Sequence, residues 1–375
     1  MSDVPRAGEV RASDTASDTS TDATPGDSAD IDALVEALLD AVGAKRNRDL
    51  HRAVITSALD LARHGASRLD LKIARSAIAE MADAFAMFAP YRETPKVTIF
   101  GSARTAPSDN LYVLTRELAR RLASAGWMVV TGAGPGIMAA GNEGAGAEKA
   151  IGVNIRLPFE AAANPWIAEN EKLVEMKYFF TRKLMLMKES SGFLVLPGGF
   201  GTLDEAFELL TLVQTGKAEP APIVLVDTPG DAYWEAWERF VTEQVYGRGL
   251  ADPLDAALYT ITADVDSAIG ELLGFHRNYH SLRYVGSTLV IRLLHAPSEE
   301  EVTMLSAAFA DICSGRGIWR TGPLPPERAT DDHLTLPRVA LDFDRVHNGR
   351  LRQLIDALNA LVPELDRSTH PAPLP

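Results

Sequence analysis

Between about residue 96 and residue 275, short apolar segments rich in β-branched residues alternate with longer segments of helical periodicity. Apolar runs of this length predict strands that are buried on both faces. Such strands, when helices separate them, are typical of a parallel sheet covered on both sides. The pattern therefore predicts an α/β fold, a Rossmann-like doubly wound parallel sheet. The predicted strands are KVTIF (96–100), WMVVT (127–131), IGVNI (151–155), LVEMKY (173–178), FLVLP (193–197) and IVLVD (223–227), and the clearest helices are 109–125, 136–149, 179–190 and 202–216.

The hydrophobic pattern changes on both sides of this region. Residues 1–29 hold almost no apolar side chains, so they predict a disordered acidic tail. A helical stripe begins at Ile31, with Asp30 as the expected N-cap. We expect an N-terminal helical segment whose role is packing or oligomer contacts. The predicted division of the chain is 1–29 for the tail, 30–92 for the helical segment, 93–275 for the Rossmann-like domain and 276–375 for a C-terminal domain.

The C-terminal part loses the regular alternation of strands and helices. It contains a predicted strand at 287–295, a helix opened by the capping box SEEE at 298–301, and a proline-rich loop at 322–328. A strand at 338–344 and a last helix near 348–362 follow. These elements predict a small α+β domain, which serves either regulation or dimerisation and stability.

Composition limits the classes of partner. The net charge of -14 argues against general binding of nucleic acid or of an anionic membrane, although a local basic pocket remains open. Cys313 is the single cysteine, so the chain has no disulfide framework and no thiolate metal site. The N-terminus lacks an apolar signal region, and no later run approaches the length of a membrane span. We therefore expect a soluble, cytoplasmic protein.

The residue inventory also limits the chemistry. None of the eight histidines lies in the predicted α/β region, and neither does the cysteine. A Ser-His-Asp triad, a Cys-His pair and a histidine zinc site are therefore excluded within that region. His276 and His280 are the nearest in sequence, and another unit or subunit could also lend a histidine. Within the region, carboxylates, Arg, Lys, hydroxyls and backbone N–H groups remain.

Three turns of small residues each follow a predicted strand. They are GSAR (101–104), TGAGPGIM (131–138) and PGGFGT (197–202). N–H groups and helix N-termini at such turns bind anions, so together the turns predict one phosphate cradle. No GK[ST] is present, which excludes a Walker A loop. The second turn lacks the G-x-G-x-x-G spacing, and IGVNI leads into Arg156 rather than an acid, so a dinucleotide-dependent dehydrogenase is disfavoured.

Charged residues occupy two helix starts where they are unexpected. Arg182 and Lys183 lie near the start of a helix, where basic residues oppose the helix dipole. Their position indicates either an external anion or a facing carboxylate. Asp204 and Glu205 follow the third glycine turn, where a bound phosphate would repel them. We interpret Asp204 as a partner of the helix dipole and Glu205 as a residue that addresses the other end of the same ligand.

The segments TRKLMLM and PGGFGTLDE, about fifteen residues apart, are similar to the R-K-x-x-M … P-G-G-x-G-T-x-x-E signature of the LONELY GUY (LOG) family. The resemblance covers about 96–275. It implies a phosphoribohydrolase, which cuts the N-glycosidic bond of a nucleoside 5′-monophosphate and releases the free base and ribose 5-phosphate. It implies Arg182 and Glu205 as the catalytic pair. The residues expected to bind phosphate or substrate are Gly101, Ser102, Gly134, Gly136, Lys183, Gly198, Gly199, Gly201 and Thr202.

The resemblance further implies no metal and no other cofactor, a small-molecule nucleotide substrate, and a homodimer or higher homo-oligomer. It leaves open which base is released, because short relatives produce cytokinins and longer ones act on ordinary purine or pyrimidine nucleotides. The alternatives are a non-catalytic carrier or sensor of a nucleotide or molybdenum-cofactor-like ligand, and an assembly scaffold. A lysine decarboxylase is disfavoured, since no lysine can be paired with the acid that pyridoxal chemistry requires.

Overall fold

The computed structural model describes residues 25–156 and 162–363. The chain forms two compact units that divide between Ala74 and Arg75. Most of the predicted tail, residues 1–24, lies outside the described residues. The predicted four-part division of the chain stays a prediction.

The first unit is helical, as the apolar stripes predict. Helices α1 (Pro25–Ala41) and α2 (Arg48–Arg63) form a pair, and α3 (Arg68–Phe88) begins in this unit. Glu36 of α1 accepts a hydrogen bond of 2.6 Å from Arg48. The expected N-cap Asp30 is wrong, because α1 begins five residues earlier at Pro25. Proline is favoured in the first turn of a helix, where its missing N–H would have no partner.

The second unit contains the predicted sheet. Seven parallel strands lie in the order β4-β3-β2-β1-β5-β6-β7. This order confirms the Rossmann-like α/β fold. The strands are β1 (Lys96–Phe100), β2 (Met128–Thr131), β3 (Ala150–Ile155), β4 (Leu173–Met176), β5 (Gly192–Val195), β6 (Ile223–Val226) and β7 (Thr260–Thr262).

Helices cover both faces of this sheet, because side chains alternate along each buried strand. On one face, Val97 and Ile99 of β1 pack in a core with helices α4, α5 and α9. On the other face, Phe100 packs in a core with α3, α6, α7 and α8. The bounds of these helices are α4 (Asn110–Ser124), α5 (Ile137–Lys149), α6 (Phe179–Lys188), α7 (Phe200–Gln214), α8 (Tyr233–Phe240) and α9 (Val265–Phe275).

A four-stranded antiparallel sheet follows, in the order β10-β11-β9-β8. The helices are α10 (Glu299–Ala308), α11 (Pro325–Ala329) and α12 (Asn348–Ala360). The predicted capping box is confirmed, since Ser298 and Glu301 bond each other's backbone N–H groups. The predicted proline-rich loop contains α11, a short helix with Pro325 and Pro326 in its first turn. The strands are β8 (Tyr279–Val285), β9 (Thr288–Leu293), β10 (Cys313–Thr321) and β11 (Arg338–Phe343).

The strand order positions the three glycine turns. Strands β2, β1 and β5 are adjacent and parallel, so their carboxyl ends lie side by side at one edge of the sheet. Each of these ends leads into one of the three turns. In doubly wound sheets ligands bind at this edge. Within the described ranges, no helix has the length and apolar character needed to cross a membrane.

Candidate active site

The first glycine turn contacts both of the others. The N–H of Ser102 donates a hydrogen bond of 3.3 Å to the carbonyl of Pro197 in the third turn. The carbonyl of Ser102 accepts one of 3.0 Å from the N–H of Ile137, the first residue of α5. The structure therefore brings the three turns together, as the sequence predicts.

The second turn has to end in glycine. Gly136 lies just before α5 with a φ of 66°, in the left-handed region that other residues rarely adopt. A Cβ atom at this position would also overlap the carbonyl oxygen of Ser102. A side chain at Gly136 would thus separate the N-terminus of α5 from the first turn.

The third turn leads into the N-terminus of α7. Gly199 precedes this helix, and a Cβ at Gly199 or Gly201 would have open space around it. Thr202 is buried, and its hydroxyl lies where a Cβ on Gly198 would overlap it. The first N–H groups of a helix have no partner inside the helix. The turn therefore presents N–H groups, the positive end of the helix dipole and accessible backbone in one place.

Arg182 connects three elements around the second turn. From α6, its Nε donates a hydrogen bond of 3.0 Å to the carbonyl of Val153 in β3. Its Nη2 donates one of 3.1 Å to the carbonyl of Gly132. Its Nη1 lies 3.8 Å from Oε1 of Glu205 on α7. Of the two alternatives left open for this basic residue, the structure provides the facing carboxylate.

Glu205 is a carboxyl group with an altered proton affinity. Its side chain is 15% exposed. Burial raises the pKa of Glu205 to about 7, and the guanidinium of Arg182 reduces this rise only in part. The negative charges of Asp204 and Glu208 also favour the protonated form, whereas Lys183 opposes it. A perturbed carboxyl group beside an anion cradle is typical of a catalytic site.

Lys183 and Asp204 lie on the flank of this pair. The Nζ atom of Lys183 is 3.0 Å from Oδ2 of Asp204 and 2.5 Å from Oε2 of Glu208. Burial alone would lower the pKa of Lys183, but its bonds to these carboxylates raise it above the ordinary value. The geometry thus gives Lys183 two carboxylate partners, and its contact with phosphate stays a prediction. Asp204 pairs with Lys183, in addition to lying in the first turns of α7.

Two further residues hold the turns and were missed from the sequence. The hydroxyl of Tyr233 donates a hydrogen bond of 2.7 Å to the carbonyl of Gly198. The side chain of Asn164 donates to carbonyl groups of the second turn. Neither residue lies in a recognisable motif. No local pattern could have found them, because only the fold places them beside the turns.

Comparisons with known proteins match parts of the Rossmann-like region. Residues 136–272 match a family model described as a possible lysine decarboxylase. A segment of 64 residues is 38% identical to a probable cytokinin riboside 5′-monophosphate phosphoribohydrolase of Arabidopsis thaliana, covering 17% of this chain and 30% of that protein. A segment of 122 residues is 31% identical to the cytokinin riboside 5′-monophosphate phosphoribohydrolase of Mycobacterium tuberculosis, covering 32% of this chain and 64% of that protein.

The chain thus spans less than two thirds of either curated relative. These matches confirm the LONELY GUY resemblance, although Leu186 stands where the R-K-x-x-M signature has its methionine.

Solved structures give a more distant likeness. The molybdenum cofactor carrier protein of Chlamydomonas reinhardtii is 24% identical with a TM-score of 0.34, covering 48% of this chain and 98% of that one. DNA processing protein A of Helicobacter pylori is 17% identical with a TM-score of 0.34, covering 48% and 80%. Scores of this size carry no argument, so the fold assignment rests on the strand order itself.

Proposed function

Taking this chain as a protein of the LONELY GUY family, we propose that it hydrolyses the N-glycosidic bond of a nucleoside 5′-monophosphate. The products are the free base and ribose 5-phosphate. One observation carries the proposal: Nη1 of the buried Arg182 lies 3.8 Å from Oε1 of the half-buried Glu205, beside three glycine turns at the carboxyl edge of the sheet. The glycine turns can bind the phosphate of such a nucleotide, and Arg182 and Glu205 can contact its ribose.

The phosphate end is recognised by backbone groups. The start of α7 offers the hydroxyl of Thr202 and the backbone N–H groups of Gly198, Gly199, Gly201 and Thr202. The turn before α5 offers the N–H groups of Gly134 and Gly136. Donors of this kind bind a phosphate without a cationic side chain. The overall charge of -14 therefore does not prevent the binding of a mononucleotide.

The sugar end is assigned to Glu205. Cleavage of a ribosyl C–N bond passes through a centre that resembles an oxocarbenium ion, as in glycoside hydrolysis. A carboxylate next to this centre stabilises its positive charge, holds the ribose hydroxyls or accepts a proton from the attacking water. With a pKa of about 7, Glu205 exchanges protons readily near neutral pH.

Arg182 is assigned to positioning and electrostatics. Its guanidinium is anchored by the carbonyls of Val153 and Gly132 and faces Glu205. A guanidinium keeps its proton at any physiological pH, so it is a poor acid for the leaving base. It instead orients the carboxylate and the ribose. The proposal requires no metal ion and no redox cofactor.

The test is a panel of nucleotides incubated with the full chain. The panel contains AMP, GMP, CMP, UMP and an N6-isoprenoid AMP, since both curated relatives are named for cytokinin riboside 5′-monophosphate. Matching nucleosides and triphosphates are the controls, and chromatography measures the released base. We expect release from at least one monophosphate and none from its nucleoside, because the cradle requires phosphate.

The Arg182→Ala variant tests the assigned role of Arg182 and is expected to lose base release from the preferred monophosphate. The wild-type chain itself separates the enzyme from its alternatives. A wild-type chain that binds nucleotides but releases no base from any of them would contradict the proposal and favour a carrier or sensor. A chain that neither binds nor cleaves them would favour an assembly scaffold.

We further propose a cytoplasmic homodimer that binds neither nucleic acid nor membrane. Phe179, Phe180 and Leu184 of α6 and Phe207 of α7 are each more than 40% exposed. Exposed apolar side chains on neighbouring helices favour self-association. Sedimentation velocity should find a dimer for the wild type and a monomer for Phe180→Asp. The control is Phe240→Asp on α8, which is similarly exposed and should remain dimeric; a wild-type monomer would contradict the proposal.

A further inference from the structure

The second glycine turn holds an unusual backbone. Ala133 lies in the left-handed region with a φ of 60°, although it carries a side chain and is fully buried. Only a few per cent of residues other than glycine adopt this conformation, and surrounding contacts have to hold it in place. The N–H of Ala133 donates a hydrogen bond of 3.0 Å to the hydroxyl of Thr131, which is one such contact.

Asn164 supplies the other contacts, from the connection between β3 and β4. Its backbone N–H donates a hydrogen bond of 2.8 Å to the carbonyl of Ala133. Its side-chain Nδ2 donates to the same carbonyl and to that of Gly134, both at 3.0 Å. Nδ2 also lies 2.9 Å from Oδ1 of Asn142, which in turn accepts a bond from Thr131. Asn164 and Asn142 are buried, so water does not substitute for these donors.

These bonds determine where the turn directs its N–H groups. Across a planar trans peptide, the carbonyl of one residue and the N–H of the next point in opposite directions. Because Asn164 holds the Ala133 carbonyl, the N–H of Gly134 points away from Asn164. Among the described residues, the Gly134 N–H has no hydrogen-bond acceptor. It is therefore a donor that the fold orients and leaves available for a ligand.

We propose that Asn164 is a positioning residue that aligns the second turn for phosphate. It acts through Ala133 and Gly134 and does not touch the ligand. Arg182 holds the preceding carbonyl, that of Gly132, so successive carbonyls of this turn are held by side chains from outside it. This inference rests on the proposed function for the identity of the ligand. The hydrogen bonds that carry it are independent of the reaction.

The test compares Asn164→Asp and Asn164→Ala with the wild-type chain. Aspartate keeps the oxygen that accepts the N–H of Trp166 but loses both side-chain donors to the turn. Calorimetry measures the binding of ribose 5-phosphate, and steady-state kinetics measure the preferred nucleotide. We expect binding about tenfold weaker and KM about tenfold higher, with kcat within about threefold, since the loss falls on ligand binding.

The matched control is Asn170→Ala. Asn170 lies in the same connection. Its side chain donates a hydrogen bond of 2.8 Å to the carbonyl of Ala147 and accepts one from the N–H of Lys172, and it makes no hydrogen bond to the second turn. It should lower the thermal midpoint without changing KM. Equal KM values in the Asn164 variants and the wild type would overturn the proposal. So would an equal rise of KM in Asn170→Ala, because the effect would then be general destabilisation.

Calorimetry separates this proposal from the proposed function. If the wild type releases no base but binds ribose 5-phosphate, and the Asn164 variants bind it more weakly, the positioning role stands and the hydrolase assignment fails. If the wild type releases base and the variants match it in KM and in binding, the positioning role fails alone. A wild type that does not bind ribose 5-phosphate overturns the cradle and the role of Asn164 together.

Discussion

Replacing Glu205 with glutamine is expected to lower kcat/KM for the preferred nucleotide by about 10²–10⁴-fold. Glutamine keeps the size of the side chain but carries neither the charge that stabilises an oxocarbenium-like centre nor a site that accepts a proton from water. In the wild type, kcat/KM should rise with pH through about 7, because the carboxylate form becomes populated there. Base release measured across this range checks both expectations.

The same substitution is expected to stabilise the folded protein above pH 7. The pKa of Glu205 is raised to about 7 in the folded state from an ordinary value of 4.5, so between these values the folded state binds more protons than the unfolded state. Stability conferred by the protonated carboxyl is therefore lost as pH rises through about 7. Glutamine does not ionise, so the Glu205→Gln variant does not lose this stability. The thermal midpoint of the variant should exceed that of the wild type at pH 8, and the difference should shrink towards pH 4.5.

The control for Glu205 is Glu117→Gln. The side chain of Glu117 on α4 is 42% exposed and pairs with Arg120, which lowers the pKa of Glu117. Its replacement should leave the rate unchanged, and it should leave the trend of stability with pH unchanged between about pH 4.5 and pH 8, where Glu117 stays ionised. Full activity of Glu205→Gln would contradict the catalytic assignment. A midpoint of Glu205→Gln below that of the wild type at pH 8 would contradict the raised pKa of Glu205.

The central strands could be predicted from the sequence because each is fully buried and short. Strands β1, β2, β5 and β6 have every residue buried, and this burial gives the short, largely apolar runs from which they are predicted. Strands at the margins lack this signal. β7 has only three half-buried residues, and β8 and β10 mix exposed and buried positions. Their pairing partners, rather than their own composition, make them strands.

The candidate site could be predicted only where its residues share a local motif. Arg182 lies near the start of α6 and Glu205 follows the third glycine turn, so the sequence singles them out. Asn164 and Tyr233 act across 30 and 35 residues of chain on single carbonyl groups, and such bonds impose no periodicity. Lys183 shows the remaining limit: a basic residue at a helix start indicates a negative partner, but only the fold shows that α7 provides it.

A buried ionic cluster of Arg292, Glu327 and Arg338 lies at the C-terminal sheet, and no sequence motif predicts it. Arg292 of β9 and Arg338 of β11 lie directly opposite each other on neighbouring strands. Like charges in that arrangement repel. Glu327 of α11 separates them: its Oε1 lies 2.8 Å from Nη2 of Arg292 and 3.2 Å from Nε of Arg338. The N–H of Leu324 donates a hydrogen bond of 2.9 Å to Oε2 of Glu327.

Replacing Glu327 with alanine is therefore expected to destabilise the protein by about 3–5 kcal/mol, because the buried guanidinium of Arg338 loses its carboxylate partner and that of Arg292 is left with Asp332. The control is Glu299→Ala. The ion pair of Glu299 with Arg320 is exposed, so its loss should lower the free energy of unfolding by less than about 1 kcal/mol. Thermal and urea unfolding of both variants measure the difference. Equal shifts in the two would contradict the role of the cluster.

The pH dependence of this loss has a defined sign. Burial opposes ionisation of Glu327, but the Leu324 N–H and the two guanidinium groups more than offset it and hold its pKa below the ordinary 4.5. A carboxyl with a lowered pKa contributes stability that is present above its unfolded value and lost as pH falls through the folded one. The difference in free energy of unfolding between the wild type and Glu327→Ala should thus be largest at pH 7 and should become smaller below about pH 4.5. Glu205, whose pKa is shifted upward, gives the opposite trend, so the two residues can be distinguished in one set of unfolding curves.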